Sequence, residues 1–433
     1  MTLCLLYLAQ GLPWGFVTYT LAAWFAGRGM SASELGTALA ITTAPWTFKF
    51  LWGPVVDRFS WPRYGRRRPY IIGAQALMGI TILAILALPD LMADLRVLVG
   101  LLFLHNVFSA LQDVAVDALA VDLLPESERG VTNGLMYGSK YLGGALGGAG
   151  LSQVVLATDL RTAIGVQGLI LFAILLLPLF LRERAGDRLF PGPPRPSPSP
   201  TGAPEGAGDP RAPAVPDAPI PHQRTTGELL ALLLGAFALR SASLGALFVL
   251  FATVGAGALG VVSTILFIQR LGWTEAEYST FAGGPALAMG LFGAIAGGWL
   301  ADRLGRKTVV AGASALLGLQ WIAFAALEAH WQNDALVKGF LLAEPLLTSL
   351  MAGGLFALCM DLSLPAVAAT QFTAYMALSN LSTMLGQFAG GQLGDRVSYP
   401  TLFVMAGLLQ IAVAFLVLPI DPLQARRVLS EAT

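Results

Sequence analysis

Charge is scarce in this chain: Asp, Glu, Lys and Arg make up 12% of its 433 residues, against 55% for apolar side chains. A share that low excludes an ordinary water-exposed surface, where about a quarter of residues are charged. Histidine occurs three times and cysteine twice. Cys4 and Cys359 sit in separate apolar stretches, so both read as small core residues and no disulfide or metal framework is expected. No Walker A sequence, no HExxH pair and no nucleophile constellation occurs. That argues against built-in ATP drive and against an enzyme. No basic region precedes the first apolar stretch either, so the start does not read as a cleaved signal.

What the chain has in abundance is apolar length. A bilayer-spanning helix needs about 20 mostly apolar residues. Twelve such stretches are expected, at roughly 2–26, 34–56, 69–89, 96–123, 131–157, 162–181, 241–268, 277–300, 308–328, 336–362, 371–394 and 400–420. The reading is an all-α polytopic membrane protein. Basic residues crowd the loops of one side, while the other side carries one per loop: Arg28, Arg96, Arg161, Arg270, Lys338 and Arg396. Short basic loops stay in the cytoplasm, which puts both termini inside.

Between residues 182 and 226 the character changes. Twelve of the 26 prolines fall there, with hardly an aliphatic residue to bury, as in a disordered, solvated linker. Residues 227–240 then read as an amphipathic interfacial helix, or as an early start of the next span. The expected domains are a six-helix bundle over 1–181, the linker over 182–226, the short helix over 227–240, and a second bundle with a short tail over 241–433.

One motif appears in both halves. Gly53, Asp57, Arg58, Gly65 and Arg66 answer to Gly298, Asp302, Arg303, Gly305 and Arg306, each set between two apolar stretches. Asp122 and Asp361 likewise close the fourth and tenth stretches. Gly11–Gly15 and Gly255–Gly260 interrupt the first and seventh, as at a cavity or at close helix contacts. Six spans, a linker and six spans is the layout of the major facilitator superfamily, whose halves are parallel repeats.

The segments Phe48–Phe59 (FKFLWGPVVDRF) and Gln112–Gly130 (QDVAVDALAVDLLPESERG) resemble more narrowly the bacterial muropeptide permeases of the AmpG type, grouped with the acetyl-CoA transporters. The second half resembles that family only in layout and around Gln371. The resemblance implies a proton-linked importer of cell-wall sugar-peptide fragments in the bacterial inner membrane.

Ionisable residues inside a span are costly and are candidates for function. Asn106, Asp113 and Asp117 share one stripe of the fourth span. Asp113 lies about 15 Å deep, and Lys140 of the fifth span reaches a similar depth. Asp113 is therefore expected to carry the coupling proton, with Lys140 as its partner or as an anion ligand; a static buried pair is the plainer reading. Glu344 of the tenth span is the second candidate for the proton. Lys49 either faces the cavity or snorkels to the headgroups. Trp14, Tyr137 and Tyr375 are expected to line the cavity with Asn106 and Asp117. At the basic side, Asp122 is expected to pair with the loop around Arg58 and Arg66, and the two motif copies to form a conformational gate.

The expected function is alternating-access transport of an organic anion, driven by an ion gradient and without a cofactor. The expected partners are a small-molecule substrate and the bilayer, not nucleic acid, and the protein is expected to be a monomer. Efflux of amphipathic compounds and solute sensing without flux stay open.

Overall fold

Helix is the only way a lone apolar segment satisfies its backbone in lipid, and helices are what these stretches form. The computed structural model describes residues 1–59, 64–181, 183, 226–364, 367–422, 424 and 427. The linker expected over 182–226 lies outside them except at its ends, as does most of the loop insert before Gly65.

Twelve long helices follow the chain among the described residues: α1 (2–27), α2 (32–58), α3 (Arg68–Ala87), α4 (Leu95–Leu123), α5 (126–157), α6 (Leu160–Phe180), α7 (Arg240–Arg270), α8 (Glu275–Leu304), α9 (Arg306–Ala326), α10 (Asp334–Leu362), α11 (Ala368–Gly394) and α12 (Tyr399–Val417). Eight of these are individually long and apolar enough to cross a membrane. A shorter helix, Thr226–Ala238, precedes α7 and is separated from it by extended backbone at Leu239.

The halves repeat each other in packing. In the first, α1 lies on α5, and α3 on both α4 and α6; in the second, α7 lies on α11, and α9 on both α10 and α12. The repeat extends to local signals. Helices α2 and α8 each begin with a capping box, Ser31 with Glu34 and Thr274 with Glu277, which satisfies helix N–H groups that otherwise lack partners. Gly65 and Gly305 both adopt positive φ, 100° and 90°. That backbone favours glycine, which explains why each motif copy carries one after its Asp-Arg pair.

The glycine-rich interruptions are close-packing devices. Around Gly11 and Gly15, α1 stays helical, and a Cβ on either would run into the α5 backbone. In α7 the helix breaks at Thr253, while Gly257 lies against the backbone of α11. Small residues allow this approach where lipid supplies no hydrophobic drive.

The two bundles meet through α2 on α11 and α5 on α8. Their seal gathers at the face opposite the Asp-Arg loops. Arg28 pairs with Glu275 at 2.9 Å. The Asp395 carboxylate accepts from Ala32 N and Ser33 N, both at 3.0 Å, so an anion of one bundle caps a helix of the other. Gln269 donates to the carbonyls of Ala26 and Met30 at 2.8 and 2.9 Å. Gly148 and Gly283 touch so closely that a Cβ on Gly283 would lie 2.7 Å from Gly148 Cα. Nearer the middle, Asn380 Nδ2 donates to Trp46 O at 3.1 Å. The central cavity lies on the loop side of this seal.

Candidate functional site

The cavity between the bundles has two connected chambers. The larger, about 730 Å³, is lined by Trp14, Trp46, Asn106, Tyr137 and Lys140 from the first bundle and by Phe356 and Asn380 from the second, among others. The smaller, about 340 Å³, lies toward the seal and holds Tyr19, Tyr278, Glu344 and Thr348. Trp14, Tyr141, Thr383 and Gln387 line both.

Beside the larger chamber the first bundle buries a cluster of charge. Lys49 Nζ stands 3.1 Å from Asp113 Oδ2, with side-chain exposures of 14% and 5%. Asp117 accepts a short hydrogen bond from the Tyr7 hydroxyl. Trp46 Nε1 donates to Asn106 Oδ1 at 2.9 Å. A chain of amides backs the cluster: Gln10 donates to Gln112 at 2.9 Å, and Gln112 to Gln75 at 2.5 Å. Such a network holds the helices in register.

Lys140 is not the partner of Asp113. Its ammonium lies 4.6 Å from the centre of the Trp46 ring and 5.9 Å from that of Tyr7, a cation–π seat with no carboxylate at ion-pair distance among the described residues. This pairing of Asp113 with Lys49 has a local cause. Helix α2 turns at Phe48 and tightens to a 3-10 turn over Lys49–Leu51, which rotates Lys49 toward α4 instead of toward the headgroups.

Trp14, Asn106 and Tyr137 line the cavity, while Lys49 and Asp117 belong to the cluster beside it. Tyr375 does not line it. The Tyr375 ring is buried within the second bundle, edge-on to Phe237, and its hydroxyl donates to Ala242 O at 3.2 Å. Its position in α11 is one turn from Gln371, whose amide also reaches the hydroxyl, so it ties α11 to α7. Glu344 faces the smaller chamber, where Oε1 accepts from Thr348 Oγ1 at 3.0 Å. His105 is buried, with Nδ1 3.1 Å from Met78 O, a packing histidine between α3 and α4.

At the loop face Asp122 meets the basic loop around Arg58 and Arg66 through one residue. Asp122 pairs with Arg67, not with Arg58 or Arg66: Arg67 Nε reaches Asp122 at 3.0 Å and Arg67 Nη1 reaches Asp57 at 2.7 Å. Arg66 only touches Asp57, at 3.3 Å. In the second half Arg306 takes the corresponding place, 2.5 Å from Asp361. The counterpart of Arg306 is therefore Arg67, one residue beyond the alignment of the motifs. Arg58 and Asp302 are exposed, and Arg303 lies over the Trp299 ring at 4.2 Å. Gly53 and Gly298 have open space where a Cβ would project; on this unsealed face they do not join the bundles.

One residue has a structural role that no motif in the sequence signals. Glu183, after α6, accepts from the backbone N–H groups of Arg66 and Arg67 at 2.7 Å each, and from that of Arg68. It caps α3 from across the bundle. Only its place among the basic residues at the start of the linker hinted at this.

Two six-helix repeats enclosing a central cavity lined by rings, amides and a lysine are the architecture of a membrane carrier. The family model for the Major Facilitator Superfamily matches residues 3–327 and 245–433, and the chain belongs to that superfamily. It is 34% identical over 128 residues to the anhydromuropeptide permease of Escherichia coli (strain K12), covering 30% of this chain and 26% of that protein. It is 26% identical over 149 residues to putative transporter AmpG 4 of Rickettsia conorii, covering 34% and 36%. The matches thus span only about a quarter to a third of these relatives. Among solved structures, the nucleoside transporter NupG (D323A mutant) aligns with a TM-score of 0.68 at 12% identity, over 97% of this chain and 98% of that one. The inward-open xylose transporter XylE from E. coli gives 0.68 at 13%, over 97% and 96%. At such identities the likeness is one of fold. The protein is a multi-pass major facilitator transporter, not an enzyme, and resembles the muropeptide permeases in sequence.

Proposed function

We propose that this chain imports a muropeptide-like sugar-peptide, or a related organic anion, together with protons across a bacterial inner membrane, with both termini in the cytoplasm. The observation that carries the reading is the buried Lys49–Asp113 pair beside a cavity that also presents Lys140. A carboxylate held by one lysine is a proton switch: protonating Asp113 removes its charge and leaves Lys49 without a counter-ion. The pair then favours a different arrangement of α2 against α4, and α2 is also the helix that seals against α11. Asp117, one helical turn along from Asp113, holds a second carboxyl on the same stripe.

Lys140, seated on Trp46 with no carboxylate at ion-pair distance among the described residues, suits an anionic group of the substrate. Ring faces at Trp14 and Tyr137 suit sugar or peptide. The sequence similarity to the anhydromuropeptide permease points to the same chemistry. The test is uptake of labelled anhydro-muropeptide into proteoliposomes, with and without an inward proton gradient. Gradient-dependent accumulation lost in Asp113→Asn supports the reading; full accumulation in that variant overturns the coupling role.

A further inference from the structure

A third cavity, about 940 Å³, lies on the sealed face and shares no lining residue with the two central chambers. Its volume falls in the range of small-molecule sites, about 300–1,000 Å³. The seal is its floor. Thr20 Oγ1 donates there to Gly147 O and Gly148 O, both at 2.8 Å, and Ser152 meets Thr280 across the bundles at 3.1 Å. Its walls come from both bundles: Arg28, Asp90 and Asp159 from the first, Trp273 and Glu275 from the second.

The cations of these walls are already engaged. Arg28 pairs with Glu275 at 2.9 Å and covers the Trp24 ring at 3.7 Å. Arg161 donates to the carbonyls of Leu86, Leu88 and Pro89. A phosphate or a lipid headgroup needs a cation that is still available, and the described walls supply none. Acceptors remain. Asp90 Oδ1 accepts from Ala93 N and Met92 N at 3.2 and 2.8 Å, and Asp159 Oδ1 from Thr162 N at 2.7 Å. Those N–H groups hold both carboxyls below the usual carboxylate range and fix them in place. No described group donates to Asp90 Oδ2. Fixed carboxylates beside two half-buried indoles, Trp24 and Trp273, suit a neutral, hydroxyl-rich ring. Its O–H groups donate to the carboxylates, and its C–H surface packs on the indoles.

We propose that this vestibule is a second binding site, for a neutral saccharide, and that its ligand holds the protein in the sealed state. The walls belong to different bundles, so the site keeps its shape only while Arg28 and Glu275 stay together. Parting the bundles at this face carries Trp273 away from Asp90 and Asp159. A ligand that touches both walls binds the sealed state more tightly and shifts the population toward it by that difference. The saccharide is thus a brake on opening and not a passenger. The inference stands apart from the sugar-peptide reading, since it needs neither that substrate nor proton coupling.

The probe is a neutral disaccharide of N-acetylhexosamine, added to the purified full-length protein. Calorimetry is expected to show binding, weakened at least about fivefold in the double variant Asp90→Asn, Asp159→Asn, whose amides still accept from the backbone but carry no charge. Trp273→Phe is expected to weaken it as well, and melting temperatures of the ligand-free variants separate misfolding from lost recognition. For the brake, Thr383→Cys is made in a Cys4→Ser, Cys359→Ser background. Saturating disaccharide on the sealed face should slow labelling by an impermeant maleimide from that face at least about fivefold, the low end of coupling between sites. The slowing should be lost in the double variant. Unchanged or faster labelling overturns the brake, and absence of binding overturns the site. Binding that survives both sets of substitutions but is lost in Trp14→Ala also overturns the site, because it places the disaccharide in the central cavity. Displacement by glycerophosphoethanolamine at lower concentration than the disaccharide itself overturns the saccharide assignment in favour of a lipid headgroup.

Discussion

Lys49 Nζ and Asp113 Oδ2 lie 3.1 Å apart although 64 positions separate them in the chain, and they form the ion pair of a buried cluster that also holds Tyr7, Asp117 and Lys140. Removing one partner of a buried pair costs about 3–5 kcal/mol, because the survivor is left unpaired. Asp113→Ala is expected to destabilise the purified protein by that order. The double variant Asp113→Ala, Lys49→Met should recover most of the loss, as read by thermal unfolding in detergent. If the single and double variants melt alike, the pair is not a coupled unit.

The same pair sets the transport expectation. Asp113→Asn keeps the volume and removes the titrating group. Gradient-driven accumulation should fall at least about tenfold, while exchange of substrate across the membrane without net proton movement persists. A double measurement of net uptake and counterflow in one proteoliposome preparation distinguishes lost coupling from lost binding.

Arg67 and Arg66 stand side by side in the basic loop, yet their expected contributions differ. Arg67 is 6% exposed and bridges Asp57 and Asp122, while Arg66 is 43% exposed. Arg67→Ala should cost about 1–2 kcal/mol, since Arg67 is buried while Asp57 and Asp122 are 60% and 40% exposed. Arg66→Ala should stay within about 0.5 kcal/mol. Arg306→Ala is the matched test in the second half, where Asp361 would lose the pairing at 2.5 Å. Melting temperatures of the three variants check the assignment of Arg67, rather than Arg66, as the counterpart of Arg306.

Glu183 accepts three consecutive N–H groups at the start of α3. Glu183→Ala is expected to cost about 1–2 kcal/mol, the range for a lost N-terminal cap. Glu183→Gln should lose less, since its side-chain oxygen can still accept. Hydrogen exchange at Arg66–Arg68 reports on this site directly and should speed up in the alanine variant.

Gly148 and Gly283 bring α5 and α8 into backbone contact at the seal. Gly283→Val cannot be accommodated without moving the bundles apart there, because the nearest atoms are main chain. It should hold the sealed face open. A cysteine introduced at cavity position Thr383, in a Cys4→Ser, Cys359→Ser background, should then be labelled faster by an impermeant maleimide added from that face. Transport should fall by at least about tenfold. Unchanged labelling would show that closure does not pass through this glycine pair.

Taken by itself, the sequence determines the class of this protein: apolar runs of bilayer length, charge too scarce for a wet surface, a motif repeated between halves, and the resemblance carried by Phe48–Phe59 and Gln112–Gly130. It also singles out Asp113, Lys140, Lys49 and Glu344, because an ionisable residue inside a span stands out whatever it touches. Who pairs with whom was decided only in three dimensions. Helical periodicity places residues on a face of their own helix, but not the rotation of one helix against the next. The turn at Phe48 changes the phase of α2 just before Lys49, and no pattern of apolar spacing reports that. Likewise, which arginine of the basic loop bridges Asp57 and Asp122 is set by packing, and it is Arg67. Tyr375 looked like a cavity aromatic because depth along α11 can be counted from sequence, whereas its direction, inward to Ala242 and Phe237, is set by how α7 and α11 pack.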